Sequence, residues 1–283
     1  MINYMKIKKT FLSIYKFIVL ILIIISCEGS NDVVLNVGSS GINSNFSTKG
    51  ESGTGIGGSM ARFTIVGDYL YTVDSWDLNT FDISDQINPE FKSKVGLGWG
   101  VETIFPYDNR LFIGAQNGMH IYDLENKVEP NWISTYQHVT SCDPVVVQGD
   151  FAFVTLRGGT ACQGFNNQLD IIDISKISEP ILFKTYSMIN PHGLGIDGDC
   201  LFITEGEYGL KMYDISNLNE IKLTEHFKDI SSIDVIPFMG ILMMIGNDGF
   251  HQYSYDCDKG EIDYISTIPV SYTHLTLPTT PYV

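Results

Sequence analysis

Positive charge is scarce in this chain: 17 Lys and Arg stand against 33 Asp and Glu in 283 residues, a formal net charge of −16. A surface this acidic excludes a nucleic-acid backbone binder, which needs basic groups to displace counterions, so no nucleic-acid partner is expected. Long apolar runs are also missing. The most prominent, Phe17–Ile25, is nine residues, far short of the ~20 that span a bilayer as a helix. No G-x-S-x-G nucleophile elbow, H-E-x-x-H, P-loop or paired-cysteine metal motif occurs, so no familiar catalytic signature stands out. Charged residues are few at 18%, and 44% of the chain is hydrophobic, which excludes a disordered acidic polymer. What is plentiful is Gly (27), Tyr (15) and Phe (16), the composition of many short strands joined by tight turns. The length allows one large domain or two small ones.

The first 26 residues are an address. Lys6, Lys8, Lys9 and Lys16 precede the short apolar run, the layout of a secretory signal. The run ends in Ile24-Ile25-Ser26-Cys27, two aliphatic residues, a small one and a cysteine. This resembles a bacterial lipobox, and the resemblance implies that Cys27 becomes the first mature residue and carries lipid. Removing residues 1–26 removes four lysines and no acids, leaving 13 basic and 33 acidic residues and a net charge of −20. Anionic lipid repels such a chain, so the acyl groups must supply the membrane contact. Glu28 and Asp32 are similar to the acidic surface-export signals of Bacteroidota lipoproteins. The expected location is therefore the outer membrane, lipid-anchored, on its periplasmic or cell-surface side.

Residues 28–59 hold eight Gly and seven Ser with little hydrophobic periodicity, so residues 27–59 are expected to form a lipidated cysteine and flexible tether. Gly53-Thr54-Gly55-Ile56-Gly57-Gly58 fits the spacing of a dinucleotide-binding turn. No strand leads into it and no helix follows to hold a pyrophosphate, so it reads as linker.

From residue 60 to 269 the chain repeats itself. Leu70, Leu111, Ala152, Leu201 and Leu242 occupy equivalent places, 41, 41, 49 and 41 residues apart. The first four follow turn sequences: Gly67-Asp68, Asp108-Asn109, Gly149-Asp150 and Gly198-Asp199, each a hairpin signal. A second landmark is an aspartate closing an apolar strand: Asp82, Asp123, Asp173, Asp214 and Asp256. A proline stands seven residues later in the first three repeats, Pro89, Pro130 and Pro180. The distance between landmarks is 12, 12, 21, 13 and 14 residues, so the third repeat carries an insertion within Arg157–Gln168. Five aspartates dispersed over five units cannot meet at one ion. They are expected to accept bonds from the following backbone N–H groups and fix turns. Met243, Met244 and the tyrosines alternate as strand residues do and are expected to be core.

The repeat resembles the LVIVD repeat family, with Gly209-Leu210-Lys211-Met212-Tyr213-Asp214-Ile215-Ser216 the clearest copy. The resemblance implies an all-β fold, a β-propeller with five visible blades of four antiparallel strands. Each unit independently offers four short β-rich segments, such as Ala61–Val66, Leu70–Val73, Thr80–Ile83 and Phe91–Val95 in the first. One such sheet cannot cover both its faces, so neighbours must stack. A Trp-Asp repeat is excluded, because Trp76-Asp77 is the only such pair and falls five residues ahead of the landmark aspartate. The last fourteen residues, Val270–Val283, have no Gly, acid, Lys or Arg and match no repeat. They resemble the in-frame translation of a transposase sequencing adapter and are expected to be a non-native tail. The natural protein is then expected to continue past Pro269 into further blades, making the five an open arc.

Counting back nine residues from the first landmark gives Ala61, Glu102, Asp143, His192 and Ile233, the expected channel-mouth ends of the innermost strands. Arg62 and Asp234 are their neighbours. Glu102, Asp143 and His192 together suit a polar ligand or a divalent cation, the one candidate cofactor. The expected function is a lipid-anchored binding or scaffold module with a protein or glycan partner. The alternative is a metal-assisted lyase or hydrolase using that cluster. A disulfide between Cys142 and Cys162 is expected to pin the enlarged loop of the third repeat, with Cys200 and Cys257 free.

Overall fold

Hairpin after hairpin, the chain lays down the same sheet. The computed structural model describes residues 58–138, 144–159 and 166–270. The signal segment, Cys27, the tether up to residue 57, Cys142, Asp143, Cys162 and residues 271–283 lie outside the described residues. Blade 1 consists of β1 (Phe63–Val66), β2 (Tyr69–Val73), β3 (Asp77–Asp82) and β4 (Glu90–Gly96). Blade 2 consists of β5 (Val101–Tyr107), β6 (Arg110–Ala115), β7 (Gly118–Asp123) and β8 (Asn131–Gln137). Blade 3 consists of β9 (Val145–Gln148), β10 (Phe151–Leu156), β11 (Gln168–Asp173) and β12 (Ile181–Ser187). Blade 4 consists of β13 (Leu194–Asp197), β14 (Cys200–Thr204), β15 (Leu210–Asp214) and β16 (Lys222–Phe227). Blade 5 consists of β17 (Asp234–Phe238), β18 (Ile241–Gly246), β19 (Gly249–Asp256) and β20 (Glu261–Pro269). Each blade is a four-stranded antiparallel sheet with strands in chain order. The architecture is a β-propeller, as the repeat implies.

Both sequence landmarks have a physical role. The first follows a tight turn; in blade 2, Asp108 and Asn109 both take positive φ, 45° and 55°, as a two-residue hairpin of matching twist requires. At the second, the Oδ1 atoms of Asp82, Asp173 and Asp214 accept the backbone N–H two residues on, at 3.0, 2.9 and 2.9 Å. Asp123 does the same for Glu125 at 3.1 Å, and Asp256 accepts from Lys259 at 3.1 Å. The repeated aspartate is thus a turn lock. A feature the sequence pattern did not announce recurs with it: the pairing of third and fourth strands slips at Thr80/Phe81, Ile121/Tyr122, Ile171/Ile172, Met212/Tyr213 and Gln252/Tyr253. A bulge at one place in every blade adds local twist to the outer half of each sheet. The third strand of blade 1 also starts at Asp77, earlier than the expected Thr80, because Asp77 and Asn79 pair with Gly96 and Lys94 on the polar outer strand.

The core lies between blades. Tyr71, Val73 and Leu78 pack on Ile104, Leu111 and Ile113; Phe112, Met119 and Ile121 pack on Val145, Ala152 and Val154. Phe153, Leu169 and Ile171 pack on Leu194, Leu201 and Ile203, and Phe202, Leu210 and Met212 on Val235, Leu242 and Met244. Met244 is core as expected, whereas Met243 is only partly covered. Blades 4 and 5 approach most closely where side chains vanish: a Cβ on Gly193 or Gly195 would lie 2.1 Å from Asp234 Oδ1 or 2.3 Å from Pro237 Cδ.

Cys200 and Cys257, expected to be free, are disulfide-bonded, with Cα atoms 5.9 Å apart. Cys200 opens the second strand of blade 4, and Cys257 follows the third strand of blade 5. Those two ends lie on one side of the disc in adjacent blades, so stacking brings them together. Considering each cysteine within its own blade hid the pairing. The bridge closes a separation of 57 residues, for which loop-closure entropy allows up to ~4 kcal/mol of stabilisation. Cys200→Ser is expected to lower the melting temperature by an amount that a reducing agent reproduces in the parent chain. An unchanged melting temperature in both would contradict the bridge.

Candidate functional site at the channel mouth

The first strands of successive blades adjoin one another, so their starting ends converge at one end of a central channel. There a cavity of about 190 Å³ opens, with Arg62 from blade 1, Glu102 and Thr103 from blade 2, Arg157 from blade 3 and His192 from the start of blade 4. Met60, Pro144 and Pro191 supply its apolar wall. In a chain with nearly twice as many acids as bases, two guanidinium groups, an imidazole and one carboxylate share this space.

Each group is held from behind. Arg62 donates through Nε to the Glu102 carbonyl at 3.1 Å and through Nη2 to the Val101 carbonyl at 3.3 Å. These bonds tie the start of blade 1 to blade 2, where Ile104 N–H also donates to the Ala61 carbonyl at 2.9 Å. Gln116 Nε2 donates to Glu102 Oε1 at 3.2 Å. Arg157 sits at the foot of the blade 3 insertion; burial lowers its pKa, and the Glu102 charge opposes that. His192 N–H donates to the Thr204 carbonyl at 2.7 Å, and the His192 carbonyl accepts from Thr155 Oγ1 at 2.6 Å. Burial lowers the His192 pKa below the usual imidazole value, Arg157 reinforces this, and the Asn190 carbonyl and Glu205 oppose it. Burial thus favours the neutral ring. Its Nδ1 lies 2.8 Å from the Asn190 carbonyl, which fixes the proton there and leaves Nε2 as an acceptor.

Behind His192 a buried ion pair holds the rim. Glu205 is fully buried, and its Oε2 lies 2.8 Å from Lys211 Nζ, itself nearly buried. Glu205 Oε1 accepts the Ile189 N–H at 2.9 Å, fastening the segment that leads into His192. At the fifth blade, Asp234 does not line the cavity. Its Oδ1 accepts the Ser59 hydroxyl at 3.0 Å, while Ser59 Oγ accepts the Leu194 N–H at 2.8 Å. Gly58 and Ser59, counted with the tether on composition, are therefore buried and form a latch across blades 4 and 5.

Of the three residues singled out in the sequence, Glu102 and His192 share the cavity, and Asp143 lies outside the described residues. Among the described residues no three His, Cys, Asp or Glu side chains cluster as a metal site would require. Arg157, Glu205 and Lys211 escaped the sequence reasoning. Lys211 carried a signal: a charge inside an otherwise apolar strand must find a partner.

The fold defines a β-propeller with a polar channel mouth. The chain carries LVIVD repeats: the family model described as LVIVD repeat matches residues 57–96 and 141–188. No curated protein matches the chain. Among solved structures it is similar to a functionally unknown protein from Desulfotomaculum acetoxidans, at 9% identity and TM-score 0.59, covering 74% of this chain and 69% of that one. It is also similar to a putative 6-phosphogluconolactonase from Bacteroides fragilis, at 12% identity and TM-score 0.57, covering 74% and 69%. A third is AztD from Citrobacter koseri, at 10% identity and TM-score 0.51, covering 74% and 61%. At such identities the likeness is one of fold.

Two outcomes follow from the buried charges. Lys211→Ala strands the Glu205 carboxylate and is expected to cost ~3–5 kcal/mol in urea unfolding, while the paired change Lys211→Met with Glu205→Leu costs far less; equal losses would contradict the pairing. Burial pushes Asp234 up to about 6, against the opposing bonds from Val235, Ser59 and Met60. A carboxyl raised in the folded state stabilises fully below its unfolded value of 3.8 and loses that contribution as pH climbs through about 6. Relative to Asp234→Asn, the parent chain is expected to lose up to ~3 kcal/mol between pH 4 and pH 7. Parallel pH profiles for the two would refute this.

Proposed function

We propose that the protein is a lipid-anchored cell-envelope binding module, tethered through Cys27, that takes its ligand at the channel mouth. The observation that carries the reading is the convergence of Arg62, Glu102, Arg157 and His192, from four blades, around one cavity. Donors and acceptors of both signs beside an apolar wall suit a polar ligand group, such as the exposed part of a protein or glycan. The Cys200–Cys257 bridge supports an exported, oxidising setting, and the net charge of −16 is consistent with lipid rather than charge as the membrane contact.

A second reading, a metal-assisted lyase or hydrolase, has one observation in its favour: Glu102 and the acceptor nitrogen of His192 stand at the same cavity. The two readings separate by experiment. The lipidated protein and a folded Glu102→Ala/His192→Ala variant are each used to capture ligands from native membranes. The binding reading expects a protein or glycan retained by the parent and reduced at least ~tenfold by the variant. Equal capture by both would overturn it. Stoichiometric divalent metal in the purified parent, lost in the variant, would favour the second reading. Acyl labelling that survives Cys27→Ser would overturn the anchor.

A further inference from the structure

Five blades in a closed ring have five interfaces, but among the described residues apolar clusters seal four: blades 1–2, 2–3, 3–4 and 4–5. The strand registers allow a residue-by-residue comparison. Phe63 pairs with Thr72 across β1 and β2, as Ile104 with Ile113, Val145 with Val154, Leu194 with Ile203 and Val235 with Met244. Ile104, Val145, Leu194 and Val235 are 0–1% exposed against the preceding blade; Phe63 is 61% exposed. The other side of the seam behaves alike. Met243 occupies the place of Tyr71, Phe112, Phe153 and Phe202, all at most 2% exposed, yet is only partly covered, and Ile245 beside it is 45% exposed. The latch at Gly58 and Ser59 joins only the inner end of this junction, where Ser59 bonds Asp234.

We infer that the seam between blade 5 and blade 1 is built to accept a further blade of the same repeat, rather than a strand or a second copy of this chain. The exposed groups are sheet faces, not strand edges, so an added strand does not satisfy them. Blade 1 presents the face that elsewhere receives an aromatic from the preceding blade. Blade 5 presents the face that elsewhere inserts one into the following blade. The occupant that matches both, in register and in chemistry, is a four-stranded blade with a leading and a trailing face like the other four junctions.

The test uses the full chain with one or two copies of residues 190–230 inserted after Pro269, each copy carrying Cys200→Ser, and with Thr72→Cys in blade 1 as a reporter on its open face. Maleimide uptake, measured over the unsubstituted parent, is expected to slow at least ~tenfold in one of the two insertions, with a higher melting temperature. Phe63→Asp is expected to abolish both gains. Lys94→Cys, on the outer strand, serves as the folding control and keeps its labelling rate. Unchanged labelling at position 72 in both insertions, with the control folded, would overturn the assignment. So would protection in the uninserted chain that grows between about 1 and about 100 μM, which would give the seam to a second copy.

Discussion

Everything in this molecule depends on the face-to-face burial of one blade against the next. Tyr71, Phe112, Phe153 and Phe202 stand at the same position of successive second strands and are all buried, each filling the space before the following blade. A lone four-stranded sheet of this composition has two apolar faces and no way to cover either. The aromatic at this position and the small or aliphatic residue opposite it set the spacing of the disc. The bulge repeated in every blade sets the twist that makes the stacking rotate.

The channel mouth is a consequence of that stacking. No blade carries a site by itself. Arg62, Glu102, Arg157 and His192 lie tens of residues apart; Arg62, Glu102 and His192 meet because the first strands of their blades begin at the same radius of the disc, and Arg157 joins them from the end of β10. The supports are likewise shared between blades: Arg62 bonds the backbone of blade 2, Thr155 of blade 3 bonds the His192 carbonyl, and Ser59 spans blades 4 and 5. Such a site is rigid where its neighbours are stacked. At blade 5 it relies on one buried carboxylate, Asp234, whose ionisation opposes its burial.

Much of this was legible in the sequence because a repeat prints its period. The turn residues before Leu70 and its equivalents, the strand-closing aspartates and the insertion after Arg157 all correspond to features of the fold. Counting from the landmark placed Glu102 and His192 at one cavity, since equivalent positions in a rotational repeat share a radius. What remained hidden depends on side-chain contacts that the period does not encode, some between blades and one within blade 4. The Cys200–Cys257 bridge joins adjacent units, the Glu205–Lys211 pair links a loop to a strand, and Ser59 was masked by the glycine-rich composition around it. Sequence period gives position along a blade; it does not give which side chains meet across the gap.

The most direct measure of the account is hydrogen exchange on the unmodified protein, resolved by blade. If stacking is what holds the fold, the middle strands of blades covered on both faces, β6, β10 and β14, exchange slowest, and β2 and β18, each covered on one face, open at least ~tenfold more readily. Equal protection of all five second strands would mean that the stability of each blade is its own, and would contradict the account.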